Sequence, residues 1–301
     1  MYSLDQILGS SEHMKDVRDL IHRVADSPSN VLITGERGTG KELVAKVIHG
    51  ISGRRSASFV SLPCSAMSEA DWKNELFQEV NNGTLFFDEI GELPLGLQAK
   101  LVQTIEDMKV HQAGTAKSIT VDVRIIASTA LNLENEVKAN RFRGDLYYRL
   151  NVVEIALPSL RDRREDVPTL AEAFLNRYSR EFAKPVWAIN EAALYLLVNY
   201  SWPGNVRELE SVMERAVTLS HAKEILPDDL PVPLHQDGSR TQILSTGLKR
   251  DKTLKQVEEE YIRLIFDKTH GNKYQTAEIL GIDRKTLYRK LAEMGNDGVD
   301  E

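Results

Sequence analysis

The chain has 301 residues, 38 of them Lys or Arg and 45 Asp or Glu, a net charge of −7, 42% hydrophobic content and one cysteine, Cys64. This length admits two or three small domains, the lone thiol excludes an intrachain disulfide, and the acidic balance excludes a uniformly basic nucleic-acid binder while leaving room for a local basic face. No apolar stretch approaches a bilayer span, the first residues lack the regions of a secretory leader, and the histidines lack metal-ligand spacing; a cytoplasmic globular protein with no membrane partner is expected.

Through about residue 158, β-rich apolar runs alternate with helical patterns: Val31-Leu32-Ile33, Phe59 to Leu62, Thr84 to Phe87, Val123 to Ile126 and Val152 to Ile155. That alternation predicts an α/β fold with a parallel sheet flanked by helices. Between the first run and the helical pattern Leu43, Val44, Val47, Ile48 stand Gly35, Glu36, Arg37, Gly38, Thr39, Gly40, Lys41 and Glu42. Glycines let successive backbone N–H groups face a triphosphate, the helix N-terminus adds its positive dipole end, and a lysine in the place of Lys41 reaches the β- and γ-phosphates. Glu42 stands where the general motif has Ser or Thr, so no hydroxyl is available there for Mg²⁺.

Leu85-Phe86-Phe87 runs into Asp88-Glu89. An acidic pair after a strand is by itself a common surface turn. Downstream of a phosphate loop in the same sheet, Asp88 reads as the Mg²⁺ carboxylate and Glu89 as the group that polarises an attacking water. Arg143 and Arg149 lie in a helical stretch before the last predicted strand. Their guanidinium groups suit the charge on a transferring phosphoryl group, from the same or a neighbouring subunit, although taken alone they read as solvated arginines.

From Arg164 the periodicity is helical, with Leu170, Phe174 and Leu175, then Ala192, Leu194, Leu196 and Leu197, then Leu209, Val212 and Ala216. Trp202-Pro203-Gly204-Asn205-Val206-Arg207 opens the last of these helices, either as a plain turn with Trp202 in a core or as a device that folds Arg207 onto the nucleotide. Residues 227–250 hold three prolines and little periodicity and read as a linker. The division expected is 1–163 for the α/β subdomain, 164–226 for a helical lid, 227–250 for the linker and 251–301 for a terminal helical domain.

In that last domain Ala277, Leu280, Ile282, Leu287 and Leu291 are spaced to pack two helices across a turn at Gly281. Between Gly281 and Ala292 stand four basic residues and one acid. Arg284, Lys285, Thr286 and Tyr288 open the second helix, where base edges are reached, and Arg289 and Lys290 are placed for phosphates. A helical hairpin with a solvated basic face is the competing reading; the apolar spacing and the turn glycine favour a helix-turn-helix on double-stranded DNA. The preceding segment, with Leu254, Val257, Tyr261, Ile262, Leu264 and Ile265, is a candidate dimer face.

In order, spacing and wording, these pieces resemble the AAA+ domain and Fis-type helix-turn-helix of bacterial enhancer-binding proteins, the activators that remodel sigma-54 RNA polymerase. The resemblance runs from Ile7-Leu8-Gly9-Ser10-Ser11, which it places beside the nucleotide, through Ser220, and again over the terminal domain. It implies ATP and Mg²⁺ as cofactors, Gly35 to Glu42 as Walker A, Asp88 and Glu89 as Walker B, Thr129 in sensor I, and Arg207 as sensor II. Arg143 and Arg149 become intersubunit arginine fingers, self-association into a ring or dimer is expected, and RNA polymerase is a candidate partner. The family has an acidic residue at the position of Glu42.

The chain departs from the family at three places. The long loop carrying the GAFTGA motif is absent: only Gln78, Glu79, Val80 and Asn81 separate Phe77 from Asn82, and four residues at about 3.5 Å each cannot reach out to a partner and return. Pro63 replaces an Asn that holds the Walker B glutamate, and Ala130 replaces the sensor I Asn. Loss of those two polar groups is expected to leave nucleotide binding intact and to impair water positioning, giving slow or regulated turnover. A short loop and a Ser-Thr-Ala sensor also occur in the NtrX-like branch of the family.

Overall fold

The five apolar runs form one parallel sheet. In this computed structural model, which describes residues 2–67, 77, 79–107, 109–111, 118–231, 258–259, 261–263, 265–266, 269 and 272–296, the strands are β1 (Val31–Thr34), β2 (Phe59–Pro63), β3 (Thr84–Asp88), β4 (Lys109–His111), β5 (Ser118–Thr120), β6 (Arg124–Thr129) and β7 (Val153–Ala156). The sheet order is β2-β3-β6-β1-β7, while β4 and β5 make a separate antiparallel pair. Register places Leu32 between Ala127 and Glu154, and Phe86 beside Ile126.

Alternate residues of each strand supply two cores, as the period of two requires. On one face Leu32, Leu85, Phe87, Ile125 and Ala127 pack with Leu97 and Leu101 of α3 (Leu95–Asp107) and with Leu146 and Leu150 of α5 (Gly144–Leu150). On the other, Val31, Ile33, Phe86, Ile126 and Ile155 meet α1 (Glu12–Ala25) through Val17, Ile21 and Val24, and α2 (Lys41–Gly50) through Val44, Val47 and Ile48. The short α4 (Leu133–Lys138) follows β6, its N-terminus capped by Asn132. Buried Arg124 closes the end of α1 by donating to the carbonyls of Val24, at 2.6 Å, and Ala25, and burial brings its pKa down to about 10. His49, buried in the last turn of α2, places Nδ1 2.9 Å from the Thr84 hydroxyl and tilts its ring against Phe59.

The lid comprises α6 (Val167–Glu181), α7 (Glu191–Asn199) and α8 (Asn205–Leu219), with a short parallel pair of β8 (Ala188–Ile189) and β9 (Glu224–Ile225). Asn190 caps the Ala192 N–H at 3.0 Å and fixes the register of α7 so that Ala193 and Leu197 are buried and Ala192 is exposed. Ala192, part of the helical periodicity of the sequence, is thus turned outward, because the cap one residue before the helix sets the phase. Trp202 is fully buried and donates its indole N–H to the Leu197 carbonyl at 2.8 Å. Asp166, also buried, ties the lid to the N-terminal segment by accepting from the Ser10 and Ser11 N–H groups, at 2.6 and 2.8 Å, and from the Ser11 hydroxyl at 2.6 Å. Residues 227–229, read from sequence as the start of a linker, form a 3-10 helix, and Leu230 behind it is buried. Residues 232–250 lie outside the described residues.

The chain divides into two compact units, Met1–Leu230 and Pro231–Glu301. In the second, α9 (Lys273–Leu280) and α10 (Arg284–Asn296) meet across Gly281, whose φ of 64° is the left-handed conformation a tight turn needs. Ile262, Ala277 and Leu287 form its core, with Leu280, Ile282 and Leu291 against them. Ile262 of the expected dimer face therefore serves its own domain, while Tyr261 stays exposed; Leu254, Val257 and Leu264 lie outside the described residues. Among the described residues no helix is long and apolar enough to cross a membrane, and no cluster of three metal-ligating side chains occurs.

Asp166→Ala leaves two backbone donors without their charged acceptor and is expected to lower unfolding stability by about 3 kcal/mol in urea titrations. Burial holds the His49 pKa below its ordinary 6.5. Its contribution is therefore complete above about pH 6.5 and is lost as the pH falls through the folded-state pKa. Urea midpoints measured from pH 7.5 down to pH 5 should lose that acid-side decline in His49→Gln.

Candidate nucleotide and DNA sites

The phosphate-loop residues leave β1 with the Gly35 N–H bonded to the Thr129 carbonyl at 3.2 Å. Gly35, Gly38 and Gly40 have φ of 147°, 82° and 104°, conformations that side chains disfavour. At Gly38 the reason is also steric, because a Cβ would come within 2.2 Å of the Gly204 carbonyl oxygen of the lid. At Gly40 a Cβ would meet nothing within 4 Å. Gly40 precedes α2 without a side-chain cap, so the first N–H groups of that helix are left to an anion. The Thr39 hydroxyl donates to the Glu36 carbonyl at 2.9 Å and braces the loop from within. Glu42 reaches the cleft rim but pairs with Lys46 one turn on, at 2.7 Å.

Lys41 is buried, with Nζ 2.8 Å from the Gly35 carbonyl, 3.2 Å from that of Glu36 and 2.9 Å from Glu89 Oε1. Glu89 has a φ of 56°, and its other carboxylate oxygen accepts the Ala130 backbone N–H at 2.7 Å. The Ser128 hydroxyl accepts from the Glu89 N–H at 3.1 Å and donates to Asp88 Oδ1 at 2.6 Å. Glu89 thus takes polar support from the main chain at Ala130, a contact independent of the side-chain amides missing at Pro63 and Ala130. Pro63, opposite Asp88 in the β2–β3 register, offers no donor, but the main chain of Ala130 and the side chain of Ser128 hold the two acids in place. Thr129 spends its hydroxyl on the Leu131 N–H at 3.0 Å.

The lid closes over the loop through one residue that the sequence did not single out. Asn205 is fully buried at a φ of 55°; its Oδ1 accepts the Leu160 N–H at 2.8 Å, and its Nδ2 donates to Glu36 Oε2 and to the Arg37 carbonyl, each at 3.0 Å. Arg161 adds a two-pronged contact to Glu36, and this guanidinium, followed by the Asn205 amide, holds the Glu36 carboxyl below its ordinary 4.5. Arg163, buried behind the loop, donates to the Thr39 carbonyl at 3.4 Å, and burial pushes its pKa down. Two residues after Asn205, the Arg207 N–H bonds to the Gly38 carbonyl at 3.2 Å and its side chain enters the cleft. Only the positive φ of Asn205 distinguishes it from an ordinary helix start, and a sequence shows no φ.

These elements enclose a cleft of about 970 Å³. Its lining includes the polar side chains of Arg37, Lys41, Asp88, Glu89 and Arg207 and the apolar ones of Leu8, Leu43, Phe174 and Val206. Arg37 is paired with Glu92 at the mouth. Ile7 departs from its expected place, since its side chain is buried in the core and its neighbours Gln6 and Leu8 line the cleft. Arg143 and Arg149 are not brought to this cleft. Arg143 forks onto Asp145 at 3.0 and 2.7 Å, Arg149 pairs with Glu106, and both are about two-fifths exposed on α5 and its N-cap. The open helix N-terminus, the buried lysine and the paired acids fit a triphosphate with a divalent cation, and the apolar side chains suit a base.

In the second unit Arg284, Lys285, Tyr288 and Arg289 are exposed at the start of α10. Asp283 caps that helix by accepting the Thr286 N–H at 3.0 Å and its hydroxyl at 2.6 Å, and those hydrogen bonds hold its carboxyl below the usual range. Thr286, expected among the base-reading residues, is thus engaged in the cap. Lys290, expected on phosphate, is paired with Glu258 at 2.7 Å.

The sigma-54 interaction domain profile matches residues 7–78 and 68–156, the AAA+ ATPase lid domain 161–246, and the bacterial regulatory protein Fis family 253–294. The transcriptional regulatory protein ZraR of Salmonella typhimurium is 42% identical over 304 residues, 95% of this chain and 68% of the relative. The chain belongs to the sigma-54 enhancer-binding protein family. The regulatory protein AtoC of Escherichia coli is 40% identical over 98% of this chain and 68% of its own length. NtrX from Brucella abortus, solved in complex with ATP, matches with a TM-score of 0.70 and 34% identity over 96% of this chain and 69% of that one. A RuvB variant from Thermotoga maritima shares the fold, with a TM-score of 0.54 and 17% identity over 96% of this chain and 87% of that one.

Asn205→Ala leaves the Leu160 N–H and the Arg37 carbonyl without partners. It is expected to cost about 2 kcal/mol in urea unfolding and to speed amide exchange at Leu160 and Arg207, where lid and loop are joined. An unchanged exchange rate at both amides would show that the lid is held elsewhere.

Proposed function

We propose that this family member is a transcription regulator that binds ATP with Mg²⁺ in the cleft, self-associates through its AAA+ unit, and binds specific double-stranded DNA through α10, without remodelling sigma-54 polymerase in the family's usual way. The observation that carries the proposal is the joint between Phe77 and Asn82. Phe77 and Val80 are both buried in the sheet's core, and the turn is closed by the Gly83 N–H on the Val80 carbonyl at 2.7 Å. A segment anchored at both ends and four residues long has no length to extend.

In this reading the loop amides and Lys41 hold the β- and γ-phosphates and Arg207 approaches from the lid. Asp88 would hold Mg²⁺, which would neutralise phosphate charge when bound. Glu89 orients the attacking water, itself oriented by the Ala130 N–H. An incoming phosphate competes with Glu89 for the same lysine, so occupation of the cleft and release of that carboxylate are coupled. Arg143 and Arg149, turned away from their own cleft, act in that of a neighbouring subunit.

Steady-state ATP turnover against protein concentration tests hydrolysis and assembly together. The rate per subunit should rise with concentration. Lys41→Ala should abolish ATP binding, Glu89→Gln should keep binding and lose turnover by at least about a hundredfold, and Arg149→Ala should lose turnover that mixed assemblies restore. With sigma-54 polymerase on a promoter carrying its site, the protein should yield no ATP-dependent open complex. Open complexes that depend on Glu89 would instead establish an activator that engages polymerase through another surface.

A further inference from the structure

The two helices of the second unit are joined by a pair of contacts that the sequence reading missed. The Arg284 guanidinium lies over the Tyr274 ring with its carbon 4.3 Å from the ring centroid, and Lys273 Nζ lies 4.6 Å from the centroid of the Tyr288 ring. Lys273 and Tyr274 open α9; Arg284 opens α10 and Tyr288 follows one turn later. Both rings are exposed, Tyr274 at 57% and Tyr288 at 53%, so the contacts lie on the surface and leave the domain's core to Ile262, Ala277 and Leu287. Among the described residues Arg284 has no carboxylate partner.

We propose that Tyr274 is a positioning residue for DNA recognition: its ring holds the Arg284 guanidinium in place, ready to meet a base edge. A guanidinium held over an aromatic ring is attracted through its charge and needs no oxygen acceptor for its N–H groups. The contact therefore restricts the long side chain and leaves the N–H groups that a bidentate contact to a base requires. The rotamer freedom that arginine would surrender on binding is surrendered on folding. The proposal rests on the reading of α10 as the DNA-binding helix, and it gives a residue on the other helix a share in the sequence-selective part of the affinity.

The test uses the full chain, a duplex obtained by selection from random sequence, and a scrambled duplex of equal length at the same salt, with fluorescence anisotropy as the readout. Tyr274→Ala should weaken binding to the selected duplex about two- to fivefold, the scale of one exposed cation–π contact, and leave the scrambled duplex unchanged. Tyr274→Phe, which keeps the ring, should retain most of the selectivity. In an Arg284→Ala background, Tyr274→Ala should add no further loss, since the two act as one unit. Equal losses on both duplexes, or a full further loss in the double variant, would overturn the positioning role while leaving α10 as the DNA-binding helix. Failure of Arg284→Ala to affect any duplex would overturn that reading and the proposal with it.

Discussion

The side-chain amide of Asn205 is the constraint on which the nucleotide cleft depends. Its oxygen takes the Leu160 N–H, and its nitrogen serves both the Glu36 carboxylate and the Arg37 carbonyl. No apolar residue can replace a group that is fully buried and engaged on both its donor and acceptor sides. Asparagine also tolerates the left-handed backbone found here better than most residues. The first turn of α8 is thereby placed against the loop, and Arg207 follows from that placement. Asp166, with three donors from Ser10 and Ser11, performs the matching task at the other end of the lid.

Charge within the cleft is balanced locally. Lys41 answers Glu89, Arg37 answers Glu92 and Arg161 answers Glu36, while Asp88 at the end of β3 accepts from the Ser128 hydroxyl. Cys64, buried beside the same acids, has its thiol pushed up first by burial and then by the charges of Asp88, Glu89 and Glu92. Such a thiol is poor in thiolate and packs as a small apolar side chain.

Period and spacing made the sheet legible, because strands buried on both faces read as continuous apolar runs, as Thr84 to Phe87 does. The loop and the acidic pair were legible because their chemistry requires fixed residue types in fixed order. What escaped were contacts made by the main chain or between distant segments. The Ala130 N–H reaches Glu89 whatever side chain the residue carries, so no residue type in the sequence announces the contact. Asn205 and Glu36 are 169 residues apart, and Asp166 and Ser10 are 156 apart. No local pattern announces such pairs. In α7 the periodicity was visible but its phase was not, since the Asn190 cap decides which residues turn inward.

Gly38 invites a reading as a phosphate-binding residue, yet its neighbour is Gly204 of the lid, with room for no additional atom between them. The position answers first to the docking of two segments of the same chain. A relative that had lost every use for nucleotide would still need glycine there for as long as its lid closed in this way. Glycine at that position is thus a record of lid closure, and evidence of nucleotide use has to come from Lys41 and the acids opposite it.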